Sequence, residues 1–392
     1  MRKIIGIALT IFLIQSCTAE PDKPFTTEVP VFTDALTLEL SFGDENVPDE
    51  FLLARPMGLD VNNDGDIYIA DEERLKVFDE NGTPKTIIGG PGEGPGEFRM
   101  LMDIGISPSG YIAAGTPTEY NLFSPKNEFI RKYDILRSPI SKILVSENVN
   151  IPASTSRLYM ISKNEFVLTG SGSKRTEDDP EASYRVLVHV LDDSVSVLAE
   201  YKDVQRIVVD EIPTTIQLLG DFQWGLLSGN RVVFTHSAYD KRDEQNNSYY
   251  ILNVVSLDTG ERTDFSTAYE KTEIADSIIA KQRWRGISAM DTDREKLNKI
   301  VRDKVKELKY FPPIMNILTD NKYVFAFLYH NNYESESIAH VIDVNSGKHI
   351  STIHLPFVPI QIKNGYAYRI KSGPDIFPVV EKYKINPAVY GK

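Results

Sequence analysis

Side chains able to do chemistry are thinly spread through this chain. Its six histidines are His189, His236, His330, His340, His349 and His354, and its one cysteine is Cys17. No G-x-S-x-G nucleophile elbow, H-E-x-x-H helix or cysteine-based metal set occurs. The nearest approach to a cation loop is Asp60-x-Asn62-x-Asp64-Gly65-Asp66, which follows the oxygen-rich order of a calcium loop. Such a loop needs a helix on either side, whereas the residues around it alternate as strands do. Asp-Gly is also what a tight hairpin turn requires. A plain turn is therefore the expectation at Asp60, Asn62 and Asp64, with calcium the alternative and no other cofactor implied. Gly89 to Gly94 is glycine-rich but lacks the Lys-Ser/Thr and the following helix of a phosphate cradle.

The elements that must position any site are short strands. MGLDVNNDGDIYIADEERLKVFDENGTPKTIIG reads as strands 57–61, 66–70, 74–79 and 84–88, with turns at Asp64-Gly65 and Asn81-Gly82. The first hairpin of this unit recurs around Gly110, Asn164, Asn230, Asn321 and Gly365, which makes six. Four antiparallel strands per unit make a propeller blade, so the expected fold is all-β: a six-bladed β-propeller over 35–392. The last unit lacks residues for a fourth strand, and ALTLELSF at 35–42 is placed to supply it and close the ring. A helical insertion is expected at about 268–309, where Ile274, Ile278, Leu297, Val301 and Val305 form an apolar stripe with Lys and Glu opposite.

A propeller directs the residues that precede its inner strands to the mouth of the central channel. These are Arg55, Asp103, Arg157, Gln223 and Trp224, joined from the loops by Tyr239, His236, His330, Tyr333 and Arg369. Guanidinium forks and aromatic platforms suit a carboxylate, sugar or peptide. The competing reading is that Arg55 and Arg157 pair with acidic neighbours across blades. His236 and His330 each end the second strand of neighbouring blades, so an acid–base or metal pair is conceivable, against the commoner solvated loop histidine. Long polar loops at 171–183 and 237–248 mark the same face as the working one. The expected function is a binding or scaffold module for a protein, peptide or glycan, without catalysis. The alternative is a hydrolase or lyase using a cation near the channel, with Asp103, His236 and His330 as its candidates.

The N-terminus carries an address. Arg2 and Lys3 precede an apolar run from Ile4 to Ile14, too short to span a bilayer comfortably. Ile14-Gln15-Ser16-Cys17 resembles the lipobox of bacterial lipoproteins, so 1–17 reads as a signal with Cys17 lipidated, and the polar, proline-bearing 18–34 as a tether. With 43 basic and 56 acidic residues the net charge is -13, which opposes nucleic-acid binding and leaves the lipid as the sole membrane contact. RPMGLDVNNDGDIYIADEERLKVFDENGTPKTIIGGPGEGPGEF resembles an NHL-type repeat. With the lipobox, the chain is similar to the six-bladed β-propeller lipoproteins of Bacteroidota. That resemblance implies a lipid-anchored protein of the bacterial cell envelope, at the outer membrane, with an undefined ligand and no transferable catalytic residues.

Overall fold

Hairpin tips set the register of the ring. Five of the six inner-hairpin tips place a residue at positive φ, at Gly65, Gly110, Asn230, Asn321 and the Asn364-Gly365 pair, the left-handed conformation that reverses a tight hairpin between twisted strands. In the computed structural model, which describes residues 29–138, 141, 154–173, 183–192, 194–209, 212–245, 247–284, 293–374 and 376–392, each tip joins the inner two strands of one blade.

Blade 1 comprises Pro56–Val61, Ile67–Asp71, Arg74–Phe78 and Pro84–Ile88, and blade 2 Asp103–Ile106, Ile112–Thr116, Glu119–Phe123 and Phe129–Asp134. Blade 3 is Ser154–Ser162, Glu165–Ser173, Ser183–Leu191 and Ser194–Lys202, followed by a small hairpin, Arg206–Val209 with Ile212–Thr215. Blade 4 is Phe222–Leu227, Arg231–His236, Asn247–Ser256 and Arg262–Tyr269. Blade 5 is Ile314–Asp320, Tyr323–Leu328, Ser337–Asp343 and Lys348–Leu355, whose outer edge also carries Val31–Phe32 in parallel. In blade 6, Gln361–Lys363, Tyr366–Gly373 and Ile376–Ile385 are completed by Leu36–Phe42, with Leu36 opposite Ile385. This is a six-bladed propeller closed by its N-terminal strand, as the repeat implied.

Six apolar clusters each span two consecutive blades, and the cluster built on Phe51, Leu59, Ile69, Tyr368 and Val380 joins blade 6 to blade 1. Each interface thus has its own core, which is how a chain of this length avoids needing one large interior. Polar rivets add to these contacts. Asp60 accepts from Ile106 N (2.7 Å) in blade 2 and from Gln361 Nε2 in blade 6, and Asp320 of blade 5 accepts from Gly365 N (2.8 Å) and Tyr390 Oη (2.8 Å).

Two expectations shift in detail. The stretch 268–309 starts as the end of a strand, and its helices are the shorter pieces Asp276–Lys281 and Arg294–Lys306. Their buried residues Ile278, Val301 and Val305 cover Ile216 and Leu218 on the connector into blade 4, and Asp293 caps the longer helix by accepting from Lys296 N (3.1 Å). The loop at 237–248 is partly strand, since Lys241–Glu244 pairs with Asn247–Tyr250. The signal and lipobox at 1–17, most of the tether and most of the loop at 171–183 lie outside the described residues.

Candidate functional site

The inner strands of blades 3, 4 and 5 surround a cavity of about 250 Å³ lined by Arg157, Arg185, Asp221, Gln223, Trp224 and Asn316. Arg157 enters from the inner strand of blade 3, one bulge past its start, while Gln223 and Trp224 open the inner strand of blade 4. Trp224 is braced edge-on by Tyr159, with ring centroids 5.5 Å apart. Gln223 is steered by its Nε2, which donates to Asp221 Oδ2 (3.3 Å), and Asp221 Oδ1 accepts from Phe222 N (2.7 Å).

Two guanidiniums in this cavity keep bonding capacity in reserve. Arg157 Nη1 lies 3.5 Å from Tyr159 Oη, its guanidinium carbon is 5.9 Å from that ring's centre, and among the described residues it makes no ion pair. Arg185 Nε sits 3.3 Å from Asp203 Oδ2, yet it is buried without hydrogen-bond geometry to any partner. A buried donor left unpaired is unfavourable by about 1–3 kcal/mol, so it favours whatever supplies an acceptor. Nearby carboxyls are biased toward their neutral form. Burial pushes Asp103 up to about 6, against the pull of the Arg157 charge and of Tyr120 Oη, which donates from 3.3 Å. Burial likewise raises Asp221, opposed by Arg185, and raises the Tyr159 phenol to about 12.

The other residues singled out in the sequence are dispersed. Arg55 is exposed, and its backbone N–H donates to Asp71 Oδ1 (2.6 Å). Arg369 is bound to Glu381 (2.6 Å), with its guanidinium 4.4 Å from the centre of the Phe357 ring. His236 is buried against Tyr201 and Tyr239, its Nδ1 accepts from Ala238 N (3.2 Å), and burial lowers its pKa to about 4. Tyr239 stacks on Tyr201 and is half exposed. His330 and Tyr333 belong to the end of blade 5 beneath the helical insertion, where Tyr333 meets Phe311 and Tyr329 edge-on.

The calcium-like loop is a turn held by its own side chains. Asp60 faces inward to Val61 N (2.8 Å), Ile106 N and Gln361, Asn62 Oδ1 accepts from Asp66 N (2.8 Å), and Asp66 pairs with Lys85 (2.7 Å). Its oxygens do not converge, and among the described residues no group of three or more His, Cys, Asp or Glu is arranged to hold a metal.

Arg185, Asp221 and Asn316 were missed at the sequence level. Asn316 carried a usable signal, a lone amide inside the apolar run Ile314 to Leu318 of an inner strand. Arg185 was masked by its setting, since Ser183–Leu191 reads as a core strand and its alternation alone does not say which face the arginine takes.

A six-bladed propeller with a polar, arginine-bearing cavity at its channel is the class of molecule this geometry defines. Residues 41–116 match the DUF5128 family model, described as a six-bladed beta-propeller. Among solved structures, the chain is similar to a protein of Bacteroides fragilis described as exported, at 14% identity over 91% of this chain and 99% of that one, with a TM-score of 0.45. It is also similar to the WD40 domain of Neurospora crassa Pan2, at 8% identity over 91% and 98% of the two chains and a TM-score of 0.35. No curated protein matches.

Proposed function

We propose that this chain is a non-catalytic binding module of the bacterial cell envelope, an NHL-like propeller lipoprotein anchored through Cys17 at the outer membrane. Its ligand is a carboxylate-bearing peptide or glycan held in the cavity among the inner strands of blades 3, 4 and 5. One observation carries this reading: Arg157 and Arg185 both line a cavity of about 250 Å³ with donor capacity left over. A guanidinium fork binds a carboxylate with two parallel hydrogen bonds, and Gln223 and Asn316 add amide donors and acceptors for hydroxyls or peptide groups. The Trp224 indole gives such a ligand an apolar wall. Of the residues that could serve a catalytic cation or acid–base pair, His236 packs against two tyrosines, His330 lies apart beneath the helical insertion, and Asp103 stands beside Arg157; the calcium-loop candidate Asp60 joins three blades.

A ligand that binds only the folded chain raises its melting temperature by mass action. Thermal shift against acidic sugars, neutral sugars and short peptides should show a rise with the acidic members. Arg157→Ala should weaken that binding by about tenfold or more, in line with the loss of a charge-assisted pair. Equal shifts with acidic and neutral sugars, or an unchanged affinity in Arg157→Ala, would remove the proposed role of this cavity.

A further inference from the structure

A second cavity, of about 220 Å³, opens where the helical insertion leaves blade 4 and returns to blade 5. The two stems of the insertion are stapled beside it, Phe311 N donating to Thr272 O (3.1 Å) and Ile274 N to Lys309 O (3.0 Å). Its walls include the rings of Tyr269, Phe311 and Tyr329, with Pro312 and Pro313 between them. Phe311 and Tyr329 lie parallel, 1° apart with centroids 5.6 Å distant, and Tyr333 closes on both edge-on, so the rings are fixed before anything binds.

The charge of this cavity is one-sided. Glu270 is the only lining residue with a carboxylate; it is exposed and makes no ion pair among the described residues. Neither Lys nor Arg lines the cavity. The neighbouring Lys271 is bound to Asp243 (2.7 Å) and Lys309 to Glu273 (3.5 Å). Its two imidazoles add no positive charge. His340 Nδ1 bonds Tyr250 Oη (3.1 Å) and burial takes its pKa to about 3, while burial also lowers His330, whose Nδ1 accepts from Asn332 N (3.3 Å). An anion would meet aromatic rings and the Glu270 carboxylate, with the unpartnered Nε2 of His330 as a single neutral donor, and a hydrated metal ion would find too few oxygens. A cation wrapped in carbon loses little on leaving water and is attracted by ring faces and by Glu270 alike.

We propose that the cavity formed by Tyr269, Phe311, Tyr329 and Glu270 is a binding site for a small organic cation of the quaternary ammonium type. Its volume falls below the roughly 300 Å³ at which drug-sized sites begin, so it suits a head group more than a whole polymer. The site shares no lining residue with the arginine-bearing cavity and does not depend on it.

Calorimetric titration of the purified chain with choline, and with dimethylbutanol as its neutral isostere, tests this directly. Choline should saturate one site and bind at least about tenfold tighter than the alcohol, the scale of one or two desolvated cation–π contacts. Glu270→Gln, a change at an exposed and unpaired residue, should weaken choline several-fold and leave the alcohol unchanged. Phe311→Leu keeps an apolar wall and should erase the preference for the cation. Equal affinity for the two compounds, no saturable choline binding, or choline binding lost in Arg157→Ala would each overturn the assignment.

Discussion

Two carboxylates at inner strands, the buried Asp60 in blade 1 and the half-buried Asp221 at the start of blade 4, have opposite surroundings. Asp60 lies between blades 6, 1 and 2, and takes a hydrogen bond from each of them. No cavity adjoins it among those described. Asp221 is satisfied within its own blade, by Phe222 N and Gln223, and faces a cavity shared with two arginines that keep donors in reserve. The difference separates scaffold from site. Where polar groups across blades complete one another the ring is locked, and where they stop short of doing so a ligand can finish the set.

The largest effect expected from breaking this contrast is on stability. Asp60→Ala strands the N–H of Ile106 and the amide of Gln361 in the interior, and should lower the unfolding free energy by about 3 kcal/mol, as for other broken buried networks. Denaturant unfolding of the variant measures it, and a loss under about 1 kcal/mol would show that Asp60 is no rivet.

A smaller effect, on pH dependence, sharpens the other side. Asp103 holds its proton more tightly when folded, up to about 6 against an ordinary 3.8. The folded state therefore binds more protons between these values, and this group's contribution to stability falls as pH rises from about 4 to about 6. Acidification through the same window removes a negative charge beside Arg157, so affinity for an anionic ligand should rise. Asp103→Asn should flatten both trends, and titrations at pH 5 and 7.5 would reveal a variant that still follows the parent. The smallest effect belongs to Arg55→Ala. Its side chain is exposed and outside the cavity, so stability should change by less than about 0.5 kcal/mol and anion affinity not at all. A measurable loss of affinity would enlarge the site to blade 1.

What the sequence made legible was local. A turn such as Asn62 to Asp66 is specified by adjacent residues, and six hairpins in phase imply a ring. Arg157, Gln223 and Trp224 could be placed together because each lies at the start or first bulge of an inner strand. The rest depended on pairings between distant residues. Asp60 resembled a cation ligand because Gln361 and Ile106 reach it only after the ring closes. Arg369 resembled a ligand fork because Glu381, its partner, stands on the next strand in a run that reads as ordinary β pattern. His330 and Tyr333 were assigned to the mouth, whereas the insertion draws them beneath itself.

The completion of blade 6 by Leu36–Phe42 also orders events in time. This strand is among the first parts of the propeller to be synthesised, and its partner Ile376–Ile385 is the last strand to follow. Until then both edges stand open, one on each side of an unfinished ring. Any chain caught at that stage presents two strands ready to pair with the wrong neighbour. A shield for those edges before closure would therefore matter more to the yield of folded protein than would added stability in any one blade.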